Sequence, residues 1–337
     1  MIDLIVAGAG PAGLVAAIQA ARAGLDTVVV EPRTGLLDKA CGEGIMPGGV
    51  AALRDLGVRP PGRELRGIRY TDGTRRVEAP FRDARGLGVR RTALQAALLR
   101  RACELGVRVE QGKVAEIRQS DDRVRAAGLT ARWLIAADGL HSPVRRALGL
   151  DVRIDAGRRF GMRRHYRIAP WTDFVEVHWS RHGEAYVTPV DDGLVGVAVL
   201  SRERRPYEEH LTAFPALAAS LRGKEAGTVR GAGPLRSRAR ERRAGRVLLI
   251  GDAAGYVDAL TGEGIALAAM TATAAVGCLV AGRPEEYPRR WARLTRRHRL
   301  LTEALVRTAL RPGRAAMIVP AASRAPLLFR AAVRALQ

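Results

Sequence analysis

The sequence predicts an α/β fold, and three observations predict it. An apolar run at 2–7 enters a glycine-rich turn and leaves it in a helix. The stretch 158–200 is almost wholly β in pattern. A second apolar strand at 247–250 again meets a glycine turn and then a helix. Strand–turn–helix order at both ends, with strands between, describes a Rossmann-like domain interleaved with a β-sheet domain and followed by C-terminal helices.

The elements justify this in order. The opening βαβ pattern gives a strand at 2–7, a helix at 12–23 and a strand at 26–30. Short β-like runs around the Asp72-Gly73 turn fill 63–90, at 65–71 and 76–81. A helix at 92–105 leads to a strand at 107–110. A three-strand meander over 113–137 ends in the apolar run 133–137. Strands at 174–179, 185–190 and 194–200 make the β-rich middle, and 206–222 reads as helix. The last fifty or so residues read as Arg-rich helices with breaks near Pro312-Gly313, Pro320 and Pro326. The expected division is 1–62, 86–155 and 240–285 for the first domain, 63–85 and 156–239 for the second, and 286–337 for the helical segment.

A chain of 337 residues, 47% apolar and 27% charged, is long enough for a large core, built mainly from aliphatic residues because aromatics make up only 4%. The formal charge of +22 suggests an anionic partner. All but Lys39, Lys113 and Lys224 of the 56 basic residues are arginine, however, and they are spread along the chain without interleaved aromatics that would stack bases. We therefore expect no nucleic-acid partner. Cys41, Cys103 and Cys278 have no CxxC spacing, and the six histidines have no close metal spacing, so neither a disulfide framework nor a metal site is expected. With no basic-then-apolar leader pattern, the expected setting is cytoplasmic.

The first motif is Gly8-Ala9-Gly10-Pro11-Ala12-Gly13, between the first strand and the first helix. Gly8 permits the turn, Gly10 lets backbone approach a pyrophosphate, and Gly13 lets helix pack on strand. The helix N-terminus offers free N–H groups and a positive dipole end to phosphates. Glu31, closing the second strand, is placed to take the hydroxyls of an adenosine ribose. These features specify a dinucleotide but do not separate FAD from NAD. The second motif runs from Arg246-Val247-Leu248-Leu249-Ile250 into Gly251-Asp252-Ala253-Ala254-Gly255, with Gly262-Glu263-Gly264-Ile265 opening a helix. The third is Asp138-Gly139-Leu140-His141-Ser142-Pro143-Val144-Arg145, which read alone is a turn with a Ser helix cap.

In these motifs and their order, the chain resembles the FAD-dependent group A flavoprotein monooxygenases and the related geranylgeranyl reductases. The resemblance implies a glutathione-reductase-type FAD domain and non-covalent FAD. It places Asp252 on a ribityl hydroxyl and 262–265 at the pyrimidine edge of the flavin, where a helix N-terminus favours the reduced ring. It also places Asp138 and Gly139 beside FAD, Arg91 near its phosphates, and Pro32, Arg33, Gly42 and Val114 around it. Cys41, in Lys39-Ala40-Cys41-Gly42-Glu43-Gly44-Ile45, sits where both families bring a loop toward the flavin. It is either flavin-facing or a small buried residue.

Two reactions stay open. The favoured one is an NAD(P)H-dependent monooxygenase that hydroxylates a hydrophobic, aromatic or polyketide-like molecule through a C4a-hydroperoxyflavin. The alternative is reduction of a prenyl or other alkene. Tyr186 and Pro189 keep part of an aromatic strand pattern typical of the geranylgeranyl reductases, but the Trp between them is missing. A non-catalytic flavoprotein is the third class. His165, Tyr186 and Pro189 are substrate-side candidates, with Met162, Tyr166, Trp171 and Trp179 as further possible wall residues. In the C-terminal segment, apolar Leu301, Leu305, Val306, Leu310, Met317, Ile318, Leu327, Leu328, Phe329, Val333 and Leu336 alternate with arginines. They are expected to pack on the FAD domain with the arginines in water. The alternative is a basic lid touching an anionic membrane or a carrier-bound substrate.

Overall fold

The computed structural model describes residues 1–82, 84–154, 157–260 and 262–334. The expected boundary at 155/156 and the apolar position Leu336 lie outside them. The first sheet has eight strands, with Ile2–Ala7 between Leu129–Ala136 and Thr27–Glu31, all parallel. Val247–Leu249 continues the parallel array beyond Leu129–Ala136, and Arg108–Gln111 continues it beyond Thr27–Glu31. Strands covered on both faces carry continuous apolar runs rather than alternation, which is why Leu4, Ile5, Val6, Val28, Val29, Leu134, Ile135 and Leu248 are all fully buried. Ile117–Gln119 and Val124–Ala126 extend this sheet as the expected antiparallel meander.

Helices Pro11–Arg22 and Gly264–Val280 pack on each other through small residues, among them Ala16, Ala20, Ala268 and Ala272. The glycine turns that follow Ile2–Ala7, Leu129–Ala136 and Val247–Leu249 leave the same, carboxyl edge of the parallel array. Open α/β sheets bind ligands at that edge.

The second sheet has seven strands in the order Arg230–Leu235, Arg159–Arg167, Leu194–Ser201, Gly183–Asp191, Phe174–Ser180, Gly67–Thr71, Arg76–Pro80. Its period-two alternation sorts residues to two faces. Val187, Val195, Val197 and Val199 pack with Tyr207, Leu211, Phe214 and Leu217 from two short helices. Val175, Val177, Trp179 and Tyr186 pack on the other side with Met46, Leu260 and the C-terminal helices.

Several expectations need correcting. Pro47–Asp55 is a helix and Arg230–Leu235 a strand, neither foreseen. Pro47 suits its first helical position, where its missing N–H has no intrahelical acceptor to lose. The tail does break near Pro320, between Pro312–Ala315 and Ile318–Arg324, but Pro320 is not itself the break. It lies in the first turn of Ile318–Arg324, for the same reason. The tail also packs elsewhere than expected. Tyr287 and Trp291 join the core of the first sheet, but Val306, Val319, Phe329 and Val333 join the core of the second. Phe329 lies against Tyr70 at 4.6 Å between ring centroids, and Tyr70 against Trp179 at 5.4 Å.

Candidate functional site

The glycine turn is shaped by contacts that leave no room for a side chain. A Cβ on Gly13 would lie 1.9 Å from the Gly8 carbonyl oxygen, and one on Gly8, whose φ is 105°, would lie 2.7 Å from the Ala137 carbonyl oxygen. Gly10 differs: the nearest atom to a Cβ there is Arg91 Nη2, at 3.7 Å. The space over Gly10 is therefore open and faced by a guanidinium whose Nε is buried without a hydrogen-bond partner. Pro11 and Ala12 begin the helix behind it, so the N–H groups of the first turn face the same space. Gln95, 2% exposed, donates to the Ala9 carbonyl at 3.0 Å and accepts from Leu37 N–H, which ties turn to loop.

Glu31 accepts the Ala9 N–H at 2.9 Å through Oε2, and Arg33 N–H and Nε through Oε1 at 3.2 and 2.7 Å. Burial pushes its pKa up, but the bonds from Arg33 and Ala9 outweigh this and hold it below the ordinary value. Pro32 and Arg33 lie at the surface, while Val114 is buried in the first core.

The other two turns meet across Arg145, which is 3% exposed. Its guanidinium donates to the Ala253 carbonyl at 3.0 Å, the Leu140 carbonyl at 2.8 Å and Asp151 at 2.6 Å, clamping the 138–142 turn to the 251–254 turn. Ser142 caps the helix after it by accepting Arg145 N–H at 2.9 Å, as its sequence position suggested. Asp138 Oδ2 accepts Val144 N–H at 3.0 Å, and Oδ1 is buried with no partner. Burial raises the Asp252 carboxyl against the pull of Arg91 and Lys39. Gly262 has Met46 Cε at 3.7 Å from its Cβ position, and nothing lies within 4 Å of the same point on Gly264, where the helix containing Ile265 starts.

The loop at Cys41 is fixed by Glu43, a residue the sequence reading passed over. Glu43 holds φ 58°, a left-handed conformation that a non-glycine residue keeps only under strong constraint. Its Oε1 accepts Arg91 N–H at 2.9 Å, its Oε2 meets His165 Nε2 at 2.7 Å, and its carbonyl accepts Val89 N–H at 2.8 Å. Arg163 Nη1 lies 3.0 Å from His165 Nδ1. A guanidinium only donates, so Nδ1 accepts and Nε2 carries the proton given to Glu43. Both ring nitrogens of His165 are thus engaged within the protein. Thr188 donates to the Gly42 carbonyl at 2.7 Å, and a Cβ on Gly196 would stand 2.8 Å from Glu43 Oε2, so the second sheet presses directly on this loop. Pro189 meets the Gly86–Gly88 strand so closely that a Cβ on Gly88 would overlap its carbonyl oxygen.

Alternation in the second sheet brings a polar set to the same side. Arg159, Arg163 and His165 come from one strand, and Glu184, Tyr186 and Thr188 from another. Arg159 pairs with Glu184 and, at 3.4 Å, with Asp258, all three at most 5% exposed. Burial raises both carboxyls against the pull of Arg159. Tyr186 donates to the Leu260 carbonyl at 2.9 Å. Tyr256 lies within electrostatic range of Asp252, Asp258, Cys41 and Arg159. Burial, and then the nearby acids, hold it as a neutral phenol; burial likewise holds Cys41 as a thiol. Cys41, Asp252 and Tyr256 keep partial accessibility although protein surrounds them, so they line an internal hollow. Met162 and Tyr166 pack toward the opposite face of the sheet, and Trp171 is exposed, its indole donating to Glu176 at 3.0 Å.

A family model described as an FAD binding domain matches residues 1–282. The chain belongs to the FAD-binding family of group A flavoproteins. Within this family it is 33% identical over 300 residues to a menaquinone reductase of Mycobacterium tuberculosis (strain ATCC 25618 / H37Rv), covering 78% of this chain and 72% of that one. It is 30% identical over 298 residues to digeranylgeranylglycerophospholipid reductase 1 of Methanopyrus kandleri, covering 78% and 76%. Among solved structures, a flavin-dependent brominase superposes with a TM-score of 0.83 at 18% identity over 99% of this chain and 93% of that one. A geranylgeranyl bacteriochlorophyll reductase-like protein from Thermoplasma acidophilum gives 0.76 at 20% identity over 92% and 87%. These structural likenesses establish the fold.

This flavoprotein is an FAD-dependent oxidoreductase. Its own residues fit the cofactor: the open cradle at Gly10, the orphaned Arg91 Nε and Asp138 Oδ1, and the unobstructed turn at Gly264 all offer what a pyrophosphate and a flavin require.

Proposed function

We propose that the chain is a reductase that saturates a carbon–carbon double bond in the polyprenyl part of a lipophilic substrate. The observation that carries this reading is its identity, 33% and 30%, to two reductases whose named substrates both bear polyprenyl chains. The site is consistent with it. Apolar residues adjoin the flavin-side turn: Met46 Cε lies 3.7 Å from the Cβ position of Gly262, and Met46 shares a core cluster with Val175, Val177 and Leu260, surroundings suited to hydrocarbon. Bound FAD supplies the hydride chemistry, with NAD(P)H as the proposed reductant. Gly10 and Arg91 would hold the phosphates, Asp252 and the 262–265 turn would hold the ring, and burial keeps Cys41 and Tyr256 protonated near them. Alkene reduction consumes one proton with each hydride, and Tyr256, backed by the Arg159–Glu184–Asp258 cluster, is the proposed donor.

The monooxygenase reading is favoured instead by the Asp138-Gly139 turn and by the missing Trp between Tyr186 and Pro189. One experiment separates the two. Holoprotein is reduced anaerobically with NADPH, then with NADH, and mixed with menaquinone-4 without oxygen. A product that stays heavier by two hydrogens after its quinone ring is reoxidised in air supports the reductase, because reduction of the ring alone adds the same mass and is reversed by that step. Turnover that requires oxygen and adds one oxygen atom to the product refutes it.

A further inference from the structure

The C-terminal segment presents a surface that the cofactor site does not use. Helix Pro326–Arg334 turns Phe329 and Val333 inward onto the second sheet, and Arg330 Nε donates to the Glu78 carbonyl at 3.3 Å, which fixes the helix's rotation. The outward side carries Leu327 and Leu328, 76% and 72% exposed, with Ala331 and Ala332 a turn further on, also exposed. Met317, 52% exposed, precedes the neighbouring helix Ile318–Arg324, and the bend between the two helical pieces is 103°. Among the described residues no single helix is long and apolar enough to cross a membrane; this bent pair reaches that length and composition only when its two pieces are taken together, and its inner residues Val319, Phe329 and Val333 pack on the second sheet.

Charge accompanies the apolar residues. No Asp or Glu follows Glu303 in the sequence, while arginines stand at 311, 314, 324, 330 and 334. Arg311, Arg314, Arg324 and Arg334 are exposed and form no ion pair among the described residues. Exposed leucines alone would suit any apolar partner. Leucines flanked by unpaired arginines on short helices, bent so that they lie along a surface, suit an interface that is apolar beneath and anionic on top.

We infer that the Met317–Leu327–Leu328 face docks this protein on an anionic lipid bilayer, with the arginines on headgroup phosphates and the leucines at the acyl boundary. The inference rests on this surface alone and does not require the reductase reading. It gives the tail a role, because the same helix whose outer side meets lipid has its inner side against Tyr70 and the second sheet.

The test is flotation of the full-length holoprotein with vesicles of phosphatidylcholine alone and of phosphatidylcholine with phosphatidylglycerol, at low and high salt. Wild type should float with the anionic vesicles, at least tenfold less with the neutral ones, and less as salt rises. The double variant Leu327→Ser/Leu328→Ser should lose at least tenfold in vesicle affinity while keeping full flavin and the wild-type melting temperature. Arg324→Gln/Arg334→Gln should weaken binding and flatten its salt dependence. No binding to anionic vesicles at low salt would overturn the inference, as would undiminished binding by the leucine variant. A wild type that is dimeric by light scattering, becomes monomeric in the leucine variant and ignores vesicles would assign the face to a second copy instead.

Discussion

Replacing Glu43 by alanine probes the joint between the cofactor turn and the second sheet. The carboxylate is 2% exposed and accepts from two groups that have no other acceptor, Arg91 N–H at 2.9 Å and His165 Nε2–H at 2.7 Å. Leaving each donor unpaired costs about 1–3 kcal/mol, so alanine should destabilise the protein by roughly 2–6 kcal/mol. Glutamine offers one carbonyl oxygen and turns an NH2 group toward the second donor, so its cost should be roughly half of that. Glycine removes the same carboxylate but relaxes the backbone at φ 58°, and should therefore be more stable than alanine by about 1 kcal/mol. Urea unfolding followed by circular dichroism gives the stabilities, and flavin fluorescence gives the cofactor affinity. FAD binding should weaken in the order glutamine, glycine, alanine, because Arg91 sits at the phosphate cradle. An alanine variant within about 0.5 kcal/mol of wild type, a shift typical of neutral surface changes, would refute the clamp. So would a glycine variant less stable than alanine.

Three further outcomes are expected. Gly10→Val should fold, since a side chain there finds free space, but should lose FAD, and Asp252→Ala should do the same; full flavin-to-protein ratios in both purified variants would count against the cradle. Glu176 is buried, and although burial raises its carboxyl, bonds from His178, Trp171 and Arg69 bring it down to about 2 from 4.5. Its contribution, about 3 kcal/mol, is present above the unfolded value and is lost as pH falls through the folded one, so the stability gap between wild type and Glu176→Gln should be wide at pH 7 and narrow as pH approaches 2. Arg159→Met leaves Glu184 and Asp258 buried without their counter-charge and should cost about 3–5 kcal/mol in urea unfolding, most of it recovered when Glu184→Gln and Asp258→Asn are added.

What was legible in the sequence follows from what each residue has to do. Gly8 and Gly13 are readable because contact admits no side chain, a Cβ on Gly13 sitting 1.9 Å from a carbonyl oxygen, whereas Gly10 is readable because it keeps the space over the turn open. The strands of the first sheet, though not their order, could be anticipated from continuous apolar runs, since strands covered on both faces carry them. Glu43, Arg145, Arg159 and Asp258 stayed out of sight for the opposite reason. Each acts through partners far away in the chain: Arg145 reaches Ala253, Arg159 reaches Asp258, and Glu43 reaches His165. In a chain with 56 basic residues, a lone arginine carries no signal of burial.

A weaker signal for part of this set was nevertheless present. Arg159, Arg163 and His165 recur at even spacing in one strand, as do Glu184, Tyr186 and Thr188 in another, and period-two spacing puts each set on a single face. A strand that alternates apolar with charged residues is ordinarily half-exposed, its charges in water. Here the polar face is buried as well as the apolar one, covered by the Cys41–Glu43 loop and by the segment from Tyr256 to Leu260. Covering so many charges costs desolvation, and within the Arg159 cluster Arg159 Nη1 and Asp258 Oδ1 face each other at 3.4 Å without a hydrogen bond. A fold that served only its own stability would turn this face outward. That it is turned inward, onto the hollow lined by Cys41, Asp252 and Tyr256, is the physical argument that these charges serve the chemistry performed there.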